Sequence, residues 1–441
     1  MSDMQAILIR GGRVIDPYRQ IDSHDEDVWV VEGRVAKAPP TGADVMEVDA
    51  RGLWVLPRLI DMHVHFRDPG QTWKETIETG SRAAAHGGIG AVATMPNTVP
   101  VTDTPELVEW VKNRGEAVGL VRIFPIGAVT VGSQGEELAD LFRLKQAGAR
   151  AFSDDGLPVA SSRMMRAALT YSRDLERVII NHAEDRSLTD GASVHEGLAA
   201  HRLGLPAAPE TAEAMMVWRD VLLAGLTGGW LHLAHVSARE SLEALSYARQ
   251  HQYRVTAEAA PHHLLLNDEA LLRWQYDSVT KVNPPLRPES SRQALLKALK
   301  QGLVNVVASD HAPHHLDEKA LPYVQAPFGI SGLETILSAL ITALIEPGLM
   351  TALDAWALMT TGPDQVLGLH SQGLAEGEPA DLTLINPTRK WQVDPAAFYS
   401  LGHNTPLAGM KLTGQAVATM VGGRWTMREG EVAYAGLSEI S

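Results

Sequence analysis

The spacing of apolar residues changes character twice along the chain. The first 55 or so residues contain short β-branched runs separated by turn residues such as Gly11-Gly12 and Pro39-Pro40, which is typical of short strands. Runs of this kind return after about Thr361. The strands predicted in these two regions are 6–10, 27–31, 46–48, 380–385 and 416–421.

Between these two regions, β-branched runs alternate with Ala- and Leu-rich segments of helical period. This alternation predicts repeated βα units around a parallel sheet. Eight runs fit an α/β fold of the (β/α)8 barrel type, in which the active site lies at the C-terminal ends of the strands. The runs are 59–66, 91–95, 121–128, 149–153, 177–181, 230–235, 254–259 and 304–309.

The change of rhythm also predicts the domain organisation. Residues 57–365 are assigned to the barrel, and residues 1–56 and 366–441 to one small β domain built from both chain ends. A chain of 441 residues, of which 45% are hydrophobic, can bury the core that this architecture requires.

Composition excludes several kinds of function. The formal charge of −15, from 38 basic and 53 acidic residues, argues against a nucleic-acid partner because like charges repel. No run of about 18 apolar residues predicts a membrane span, and no secretory signal is recognisable, so we expect a cytoplasmic protein without a membrane partner. Because cysteine is absent, any metal must be held by nitrogen and oxygen.

Six side chains that can bind a metal stand at the C-terminal ends of predicted strands. His63 and His65 are two residues apart, so in a strand they point the same way and can bind one ion together. Chance would scatter the 17 histidines of the chain over loops and helices. The six candidate ligands are His63, His65, Asp155, His182, His235 and Asp310.

This donor set suits zinc or a similar divalent ion. Six ligands are more than one tetrahedral zinc uses beside a water, so we expect two ions, with a single ion as the alternative. Two ions could share a hydroxide and present it to a polarised carbonyl. Asp155 is the candidate bridge, although strand period alone does not decide whether Asp154 or Asp155 faces inward.

Seven short strings surround these residues and extend beyond them. They are HVHFRDPG at 63–70, MPNT at 95–98, FSDDG at 152–156, HAED at 182–185, HVS at 235–237, NPPLR at 283–287 and DHAPH at 310–314. Together they resemble the amidohydrolase superfamily and, within it, the dihydroorotases of the large bacterial (class I) type. The resemblance implies reversible interconversion of (S)-dihydroorotate and N-carbamoyl-L-aspartate in pyrimidine synthesis.

The resemblance also implies roles for the candidate ligands. It selects Asp155, and not Asp154, as the residue between the two ions. Asp310 would act as the base, taking a proton from the attacking water and returning it to the departing nitrogen. The implied ligands are His63, His65 and Asp310 for one ion, and His182 and His235 for the other.

The implied substrate carries a carboxylate, which needs a positively charged partner. Arg67, one same-face step beyond His65, supplies a planar fork suited to that group. Asn97 and His314 would complete the clamp, and Asn283 with nearby backbone would hold the ring amide. The predicted substrate-binding residues are His65, Arg67, Asn97, Asn283, His314, Phe328 and Gly329.

Three positions distinguish the chain from relatives. Many binuclear amidohydrolases bridge their metals with a carboxylated lysine after strand four, yet no lysine occurs between Lys145 and Lys281. Asp155 matches the large bacterial dihydroorotases, in which aspartate takes this place. Arg58 and Gly90 depart from the family pattern, and neither touches the predicted chemistry.

Two other functions stay open on the sequence. One is hydrolysis of another cyclic amide such as hydantoin or allantoin, and the other is an inactive scaffold for aspartate transcarbamoylase. The complete ligand set argues against the scaffold, and Arg67, Asn97 and His314 argue against a substrate without a carboxylate. We also expect a homo-oligomer, namely a dimer. The sequence leaves open a complex of the active enzyme with aspartate transcarbamoylase.

Overall fold

The structure is a computed structural model that describes residues 5–434. Its strands, in chain order, are β1 (Gln5–Arg10), β2 (Arg13–Asp16), β3 (Ile21–Ser23), β4 (Val28–Val31), β5 (Arg34–Ala36), β6 (Asp44–Asp49), β7 (Trp54–Pro57), β8 (Leu59–Val64), β9 (Ile89–Thr94), β10 (Arg122–Pro125), β11 (Phe152–Ser153), β12 (Ile179–Asn181), β13 (Val194–His195), β14 (Ala207–Ala208), β15 (Leu231–Leu233), β16 (Val255–Ala259), β17 (Val306–Val307), β18 (Leu382–Gln392), β19 (Lys411–Val421), β20 (Arg424–Arg428) and β21 (Glu431–Val432).

The α-helices are mostly short and lie between the strands. They are α1 (Ile77–His86), α2 (Pro105–Val118), α3 (Leu141–Ala147), α4 (Ser162–Leu175), α5 (Arg186–Thr189), α6 (Leu198–Leu203), α7 (Thr211–Thr227), α8 (Arg239–Gln250), α9 (Pro261–Leu265), α10 (Ala270–Trp274), α11 (Glu289–Lys300), α12 (Leu316–Lys319), α13 (Ile336–Leu340), α14 (Ala352–Ala357) and α15 (Thr361–Leu367). Three-residue 3₁₀ turns lie at Val131–Ser133, Ser278–Thr280 and Pro395–Ala397, and a π-helical turn at Ile341–Ile345 continues α13.

Eight parallel strands, here called the central strands, occupy the middle of the chain: β8, β9, β10, β11, β12, β15, β16 and β17. Two sheets contain them, in the orders β10-β9-β8 and β11-β12-β15-β16-β17. A parallel bridge between Gly127 and Phe152 joins the sheets on one side, and one between Val64 and His311 joins them on the other. Each of the eight predicted runs overlaps one central strand, and the strands follow one another in a cyclic order.

The central strands are buried, as their sequences require. Every residue of β8 and β9 is buried, which is typical of parallel strands covered on both faces. Helix α4 shows how the cover is built: Met165, Leu169, Ser172 and Leu175, spaced three or four residues apart, are buried. Its N-cap, Ser161, accepts a hydrogen bond from the backbone N–H of Met164, which fixes where the helix begins. The α/β class predicted from the alternation is confirmed.

Both chain ends contribute to two further sheets. One has the order β5-β4-β1-β6, and the other has the order β21-β20-β19-β18-β7-β2-β3. In the larger sheet, β7 pairs with β2 from the N-terminal region and with β18 from the C-terminal region. Apolar side chains from both regions form one core cluster, including Ile9, Val28, Leu382, Met420 and Trp425.

The structure differs from the predicted elements in several details. The runs at 149–153 and 304–309 shrink to the two-residue strands β11 and β17. The proposed domain limits fall inside β7 and α15, and the division into two domains stays a prediction. Within residues 5–434, no helix is long and apolar enough to cross a membrane.

Candidate metal centre and active site

The six predicted ligands lie together at the C-terminal ends of the central strands. His63 is on β8, with His65 just after it, and the other four follow β11, β12, β15 and β17. All six side chains are buried. Their donor atoms form two groups that could each hold a metal ion, and Asp155 belongs to both: His63, His65 and Asp155, and Asp155, His182 and His235.

The two carboxylate oxygens of Asp155 face different histidine pairs. Oδ2 lies 3.3 Å from His63 Nε2 and 3.5 Å from His65 Nε2. Oδ1 lies 3.6 Å from both His182 Nδ1 and His235 Nε2. Two ligands of a tetrahedral zinc, each about 2.0–2.1 Å from the ion, are roughly 3.3 Å apart. The spacings therefore fit a carboxylate that lies between two ions.

An orphaned atom supports the same interpretation. Asp155 Oδ1 is buried and has no hydrogen-bond partner in the part of the chain that the structure describes. A buried carboxylate oxygen without a partner is costly unless a cation or another donor satisfies it. The residues present thus fit a metal ion, and Asp155 is the residue that would touch both.

Asp310 joins the first histidine pair. Its Oδ1 lies 3.5 Å from His63 Nε2 and 3.4 Å from His65 Nε2. Burial tends to raise the pKa of Asp310, but the hydrogen bond with His65 and the charges of His63 and His235 outweigh it and lower the pKa well below its usual range. Asp310 is therefore an ionised carboxylate that can accept a proton.

The neighbouring Asp154 has a different environment. It accepts hydrogen bonds from the backbone N–H groups of Val129 and Thr130, at 2.9 and 3.0 Å, and from Thr130 Oγ1 at 2.5 Å. These bonds tie the segment after β10 to the segment after β11 and occupy the carboxylate. Asp154 thus holds the loop, while Asp155 lies among the histidines.

Two glutamates contact the histidine ring nitrogens that point away from Asp155. Glu258 Oε1 lies 2.5 Å from His63 Nδ1, and Glu184 Oε2 lies 3.1 Å from His182 Nε2. A hydrogen bond at one imidazole nitrogen fixes the tautomer and directs the lone pair of the other nitrogen. The pairs therefore direct His63 Nε2 and His182 Nδ1 towards Asp155.

Glu258 is a functional residue that the sequence reasoning did not assign. It lies on β16, is 1% exposed, and also contacts His232 Nε2 at 3.2 Å and the backbone N–H of His235 at 3.4 Å. It thus supports one histidine from each pair. A carboxylate in the middle of a predicted barrel strand, the run 254–259, was the signal available in the sequence.

Three non-glycine residues of the site adopt left-handed backbone conformations. The φ angles are 59° at Arg67, 31° at His235 and 51° at Asp310. Such conformations cost roughly 1–3 kcal/mol each and persist where the surrounding structure enforces them. Here they occur immediately after central strands and direct side chains into one site.

Arg67, the centre of the predicted carboxylate clamp, lies beside His314. This guanidinium is 8% exposed, and its Nη2 lies 3.4 Å from His314 Nε2. Burial lowers the pKa of Arg67 to about 10, against the opposing effect of the negative charges of Asp310, Asp155 and Glu318. Arg67 therefore stays positively charged at neutral pH.

His314 contributes hydrogen bonding but no charge. Its Nε2 donates to the Phe328 carbonyl at 2.8 Å, while burial and the charges of Arg67 and Lys74 lower the pKa of His314 to about 2. Lys74 Nζ lies 3.4 Å from His314 Nδ1 and 3.2 Å from Glu318 Oε1. Lys74, 8% exposed, is a second buried cation that the sequence reasoning did not single out.

The two predicted asparagines lie beside the ligands. Asn97 Oδ1 is 2.8 Å from His65 Nδ1, so it orients that ring. Asn283 Nδ2 lies 3.2 Å from His182 Nε2 and 3.1 Å from Glu184 Oε2. Both amides are therefore at the site, where Asn97 holds a histidine of the first pair and Asn283 lies beside a histidine of the second.

The backbone groups of Phe328 and Gly329, which were predicted to bind substrate, form hydrogen bonds within the protein. The Gly329 N–H donates to the Lys281 carbonyl at 3.0 Å, and the Gly329 carbonyl accepts from Lys319 Nζ at 3.1 Å and Asn404 Nδ2 at 2.9 Å. The Phe328 carbonyl accepts from His314. Contact between this segment and a substrate ring stays a prediction.

Comparison with known proteins identifies the family. A family model described as dihydro-orotase-like matches residues 52–241. A dihydroorotase from Pelotomaculum thermopropionicum is 47% identical over 427 residues, covering 96% of this chain and 99% of the relative. A dihydroorotase from Syntrophotalea carbinolica is 44% identical over 424 residues, covering 96% and 99%.

Solved structures agree on the fold. An L-hydantoinase (dihydropyrimidinase) from Arthrobacter aurescens has a TM-score of 0.86 at 24% identity, covering 98% of both chains. A dihydropyrimidinase from Brevibacillus agri has a TM-score of 0.84 at 21% identity, covering 98% of this chain and 97% of the other. At such identities the likeness concerns the fold alone. The sequence identities to these relatives, over nearly the full length of both chains, show that the chain belongs to the dihydroorotase family.

Proposed function

We propose that this chain is a zinc-dependent dihydroorotase that interconverts (S)-dihydroorotate and N-carbamoyl-L-aspartate. The observation that carries the proposal is the position of Asp155, whose two oxygens face two histidine pairs. Beside that cluster lies Arg67, a buried cation suited to the substrate carboxylate. A site that combines these two features suits a ring with both an amide and a carboxylate.

The proposed metal content is two zinc ions per chain. His63, His65 and Asp310 would hold one, and His182 and His235 the other, with Asp155 between them. When bound, zinc would polarise the amide carbonyl and lower the pKa of water. Glu258 and Glu184 would keep the ligand nitrogens oriented, which favours binding because less rotational freedom is lost.

Asp310 is proposed as the proton carrier. It is buried and ionised, and it adjoins the first histidine pair, so it can accept a proton from the attacking water. The same carboxyl group then donates that proton to the ring nitrogen as the amide C–N bond breaks. In the direction of cyclisation, Asp310 removes a proton from the ureido nitrogen instead.

The proposal extends to architecture and assembly. We infer that the cyclic order of the central strands is a closed (β/α)8 barrel, with the two end sheets forming one β domain. A homodimer, and association with aspartate transcarbamoylase, are proposed as assemblies to be tested by light scattering with and without that enzyme. A cytoplasmic location stays a prediction.

The function is tested by assaying the zinc-loaded protein with dihydroorotate, hydantoin and allantoin side by side. We expect turnover of dihydroorotate far above that of the other two, because only dihydroorotate offers a carboxylate to Arg67. Turnover of hydantoin or allantoin alone would replace the proposed substrate. Absence of turnover with all three would favour an inactive scaffold.

Asp155→Ala is expected to reduce bound zinc from two ions per chain to one or fewer. The substitution removes the carboxylate whose two oxygens face the two histidine pairs. Metal content measured by mass spectrometry checks the result. Asp174→Ala, at an exposed helical position, is the control and should retain both ions. Two ions in Asp155→Ala would exclude the bridge.

Arg67→Met is expected to lower kcat/KM for dihydroorotate by roughly 10- to 100-fold, since hydrogen bonds to charged groups contribute about 1.5–3 kcal/mol. Zinc content should stay at the wild-type value, because Arg67 is not a proposed ligand. Arg143→Met removes an exposed arginine and should have no effect. Unchanged kinetics in Arg67→Met would show that the substrate carboxylate binds elsewhere.

A further inference from the structure

A cavity of about 440 Å³ lies at the N-terminal ends of the central strands, at the opposite end from the candidate metal centre. It is bounded by α2, by β10, by the segment before β11 and by the turn between β19 and β20. Volumes of this order accommodate small ligands. None of the proposed catalytic residues lines it, so it needs a separate explanation.

The cavity combines positive charge with an apolar wall. Its charged lining residues are four cations and one acid, in a chain whose formal charge is −15. Apolar side chains such as Phe124 and Val421 line the remainder. The charged lining residues are Lys112, Arg122, Arg150, Arg424 and Glu116.

Two of the four cations have an acidic partner within the protein: Lys112 Nζ lies 4.0 Å from Glu116 Oε1, and Arg122 pairs with Asp381. Arg122 binds Asp381 through two hydrogen bonds, of 2.5 Å from Nε and 2.9 Å from Nη2. Asp381 also accepts from Arg58 Nη1 at 2.8 Å, so one carboxylate serves two arginines. A Cβ on Gly90 would lie 2.9 Å from Arg58 Cγ, so Gly90 leaves room for Arg58. Arg58 and Gly90, the two departures from the family pattern, therefore lie against each other beside the cavity.

The other two arginines lack an acidic partner. Within residues 5–434, neither Arg150 nor Arg424 has a carboxylate within 4.0 Å. Arg150 lies over the Phe124 ring, with its guanidinium carbon 5.8 Å from the ring centroid. Arg177 is close by, and burial together with the charge of Arg150 lowers the pKa of Arg177. Among residues 5–434, Arg150 and Arg424 are therefore the lining cations that have no carboxylate within 4.0 Å.

We propose that this cavity binds a small phosphate monoester, with the phosphate on Arg150 and Arg424 and the organic group against Phe124 and Val421. Arginine forks suit phosphate oxygens, and a dianion balances two arginines where a single carboxylate would not. The cavity is also larger than a phosphate ion requires, which favours an ester over the free ion. This site is independent of the proposed dihydroorotase activity.

The first test is calorimetry on the full chain at low ionic strength, with adenosine monophosphate, adenosine and inorganic phosphate as probes. The monophosphate should bind more tightly than either of the others. Arg150→Ala combined with Arg424→Ala should weaken it at least about tenfold, because two charge-assisted contacts are lost. The charge-matched control, Arg163→Ala with Arg166→Ala on the exposed face of α4, should bind as the wild type does.

The second test needs no variant and so does not depend on the variants folding. Phenylglyoxal labelling of the wild-type protein, mapped by peptide mass spectrometry, should be blocked at Arg150 and Arg424 by the monophosphate, while Arg163 stays reactive. No binding by the wild type, equal binding by the double variant, or unprotected arginines would overturn the proposal. Inorganic phosphate binding as tightly as the ester would overturn the assignment to an ester.

Discussion

Asp310→Asn is expected to lower kcat for dihydroorotate by about 10³-fold, because general acid–base catalysis contributes about 10²–10⁴-fold and an amide cannot carry the proton. The loss should appear in both directions of the reaction, since the same carboxylate serves hydrolysis and cyclisation. The measurement is steady-state kinetics on protein loaded with zinc and checked for metal content.

Metal content separates the two roles proposed for Asp310. His63, His65 and Asp155 would still hold the first ion in Asp310→Asn, so we expect at most a modest loss of zinc. Asp317→Asn changes an aspartate in the short helix α12 that is 92% exposed, and should behave as the wild type. Near-normal kcat in zinc-loaded Asp310→Asn would show that another group carries the proton.

Glu258→Ala is expected to weaken zinc binding by roughly 10- to 100-fold, the usual effect of removing a group that orients a metal-binding histidine. Glu258 is 2.5 Å from His63 Nδ1 and also contacts the backbone of His235, so both histidine pairs lose support. The buried His63 Nδ1 would also lose its partner, which lowers the free energy of unfolding by about 1–3 kcal/mol. Competition with a zinc chelator measures the first effect, and chemical denaturation the second.

Glu258→Gln distinguishes positioning from simple destabilisation. Glutamine keeps an acceptor for His63 but lacks the charge, so we expect zinc affinity between those of the wild type and Glu258→Ala. Excess zinc should restore kcat in both variants, because Glu258 does not touch the substrate in the proposed mechanism. Glu136→Gln, at an exposed position, provides the control. Wild-type zinc affinity in Glu258→Ala would exclude the positioning role.

The six candidate metal ligands could be predicted from the sequence because they lie at the ends of strands that are easily recognised. A buried parallel strand is a short apolar run, and the residues just after it reach the same end of the sheet. His63 and His65 needed only the period of two to be paired. Strand period could not decide between Asp154 and Asp155, because both follow the two-residue strand β11. In the structure, the backbone N–H groups of Val129 and Thr130 donate hydrogen bonds to Asp154, so Asp154 holds a loop and Asp155 is left to face the histidines.

The residues that contact the ligands and the substrate clamp from behind, Glu258 and Lys74, could not be predicted in the same way. Glu258 reaches His63 across 195 positions of sequence, and Lys74 reaches His314 across 240. Neither carries a local pattern that names its partner, because such contacts depend on which strands and loops become neighbours. Strand β7 was missed because Arg58 alone separates it from β8, so the two strands do not appear as separate runs in the sequence.

The sequence alone determined the α/β class, the eight central strands, the dihydroorotase resemblance and the six candidate ligands. These depend on local periodicity and on motifs whose residues are close in the chain. Only the tertiary structure decided that Asp155 faces both histidine pairs, that Glu258 supports His63, and that arginines meet at the opposite end of the strands. Those features depend on distances between residues far apart in sequence, which packing of the strands fixes and no local pattern records.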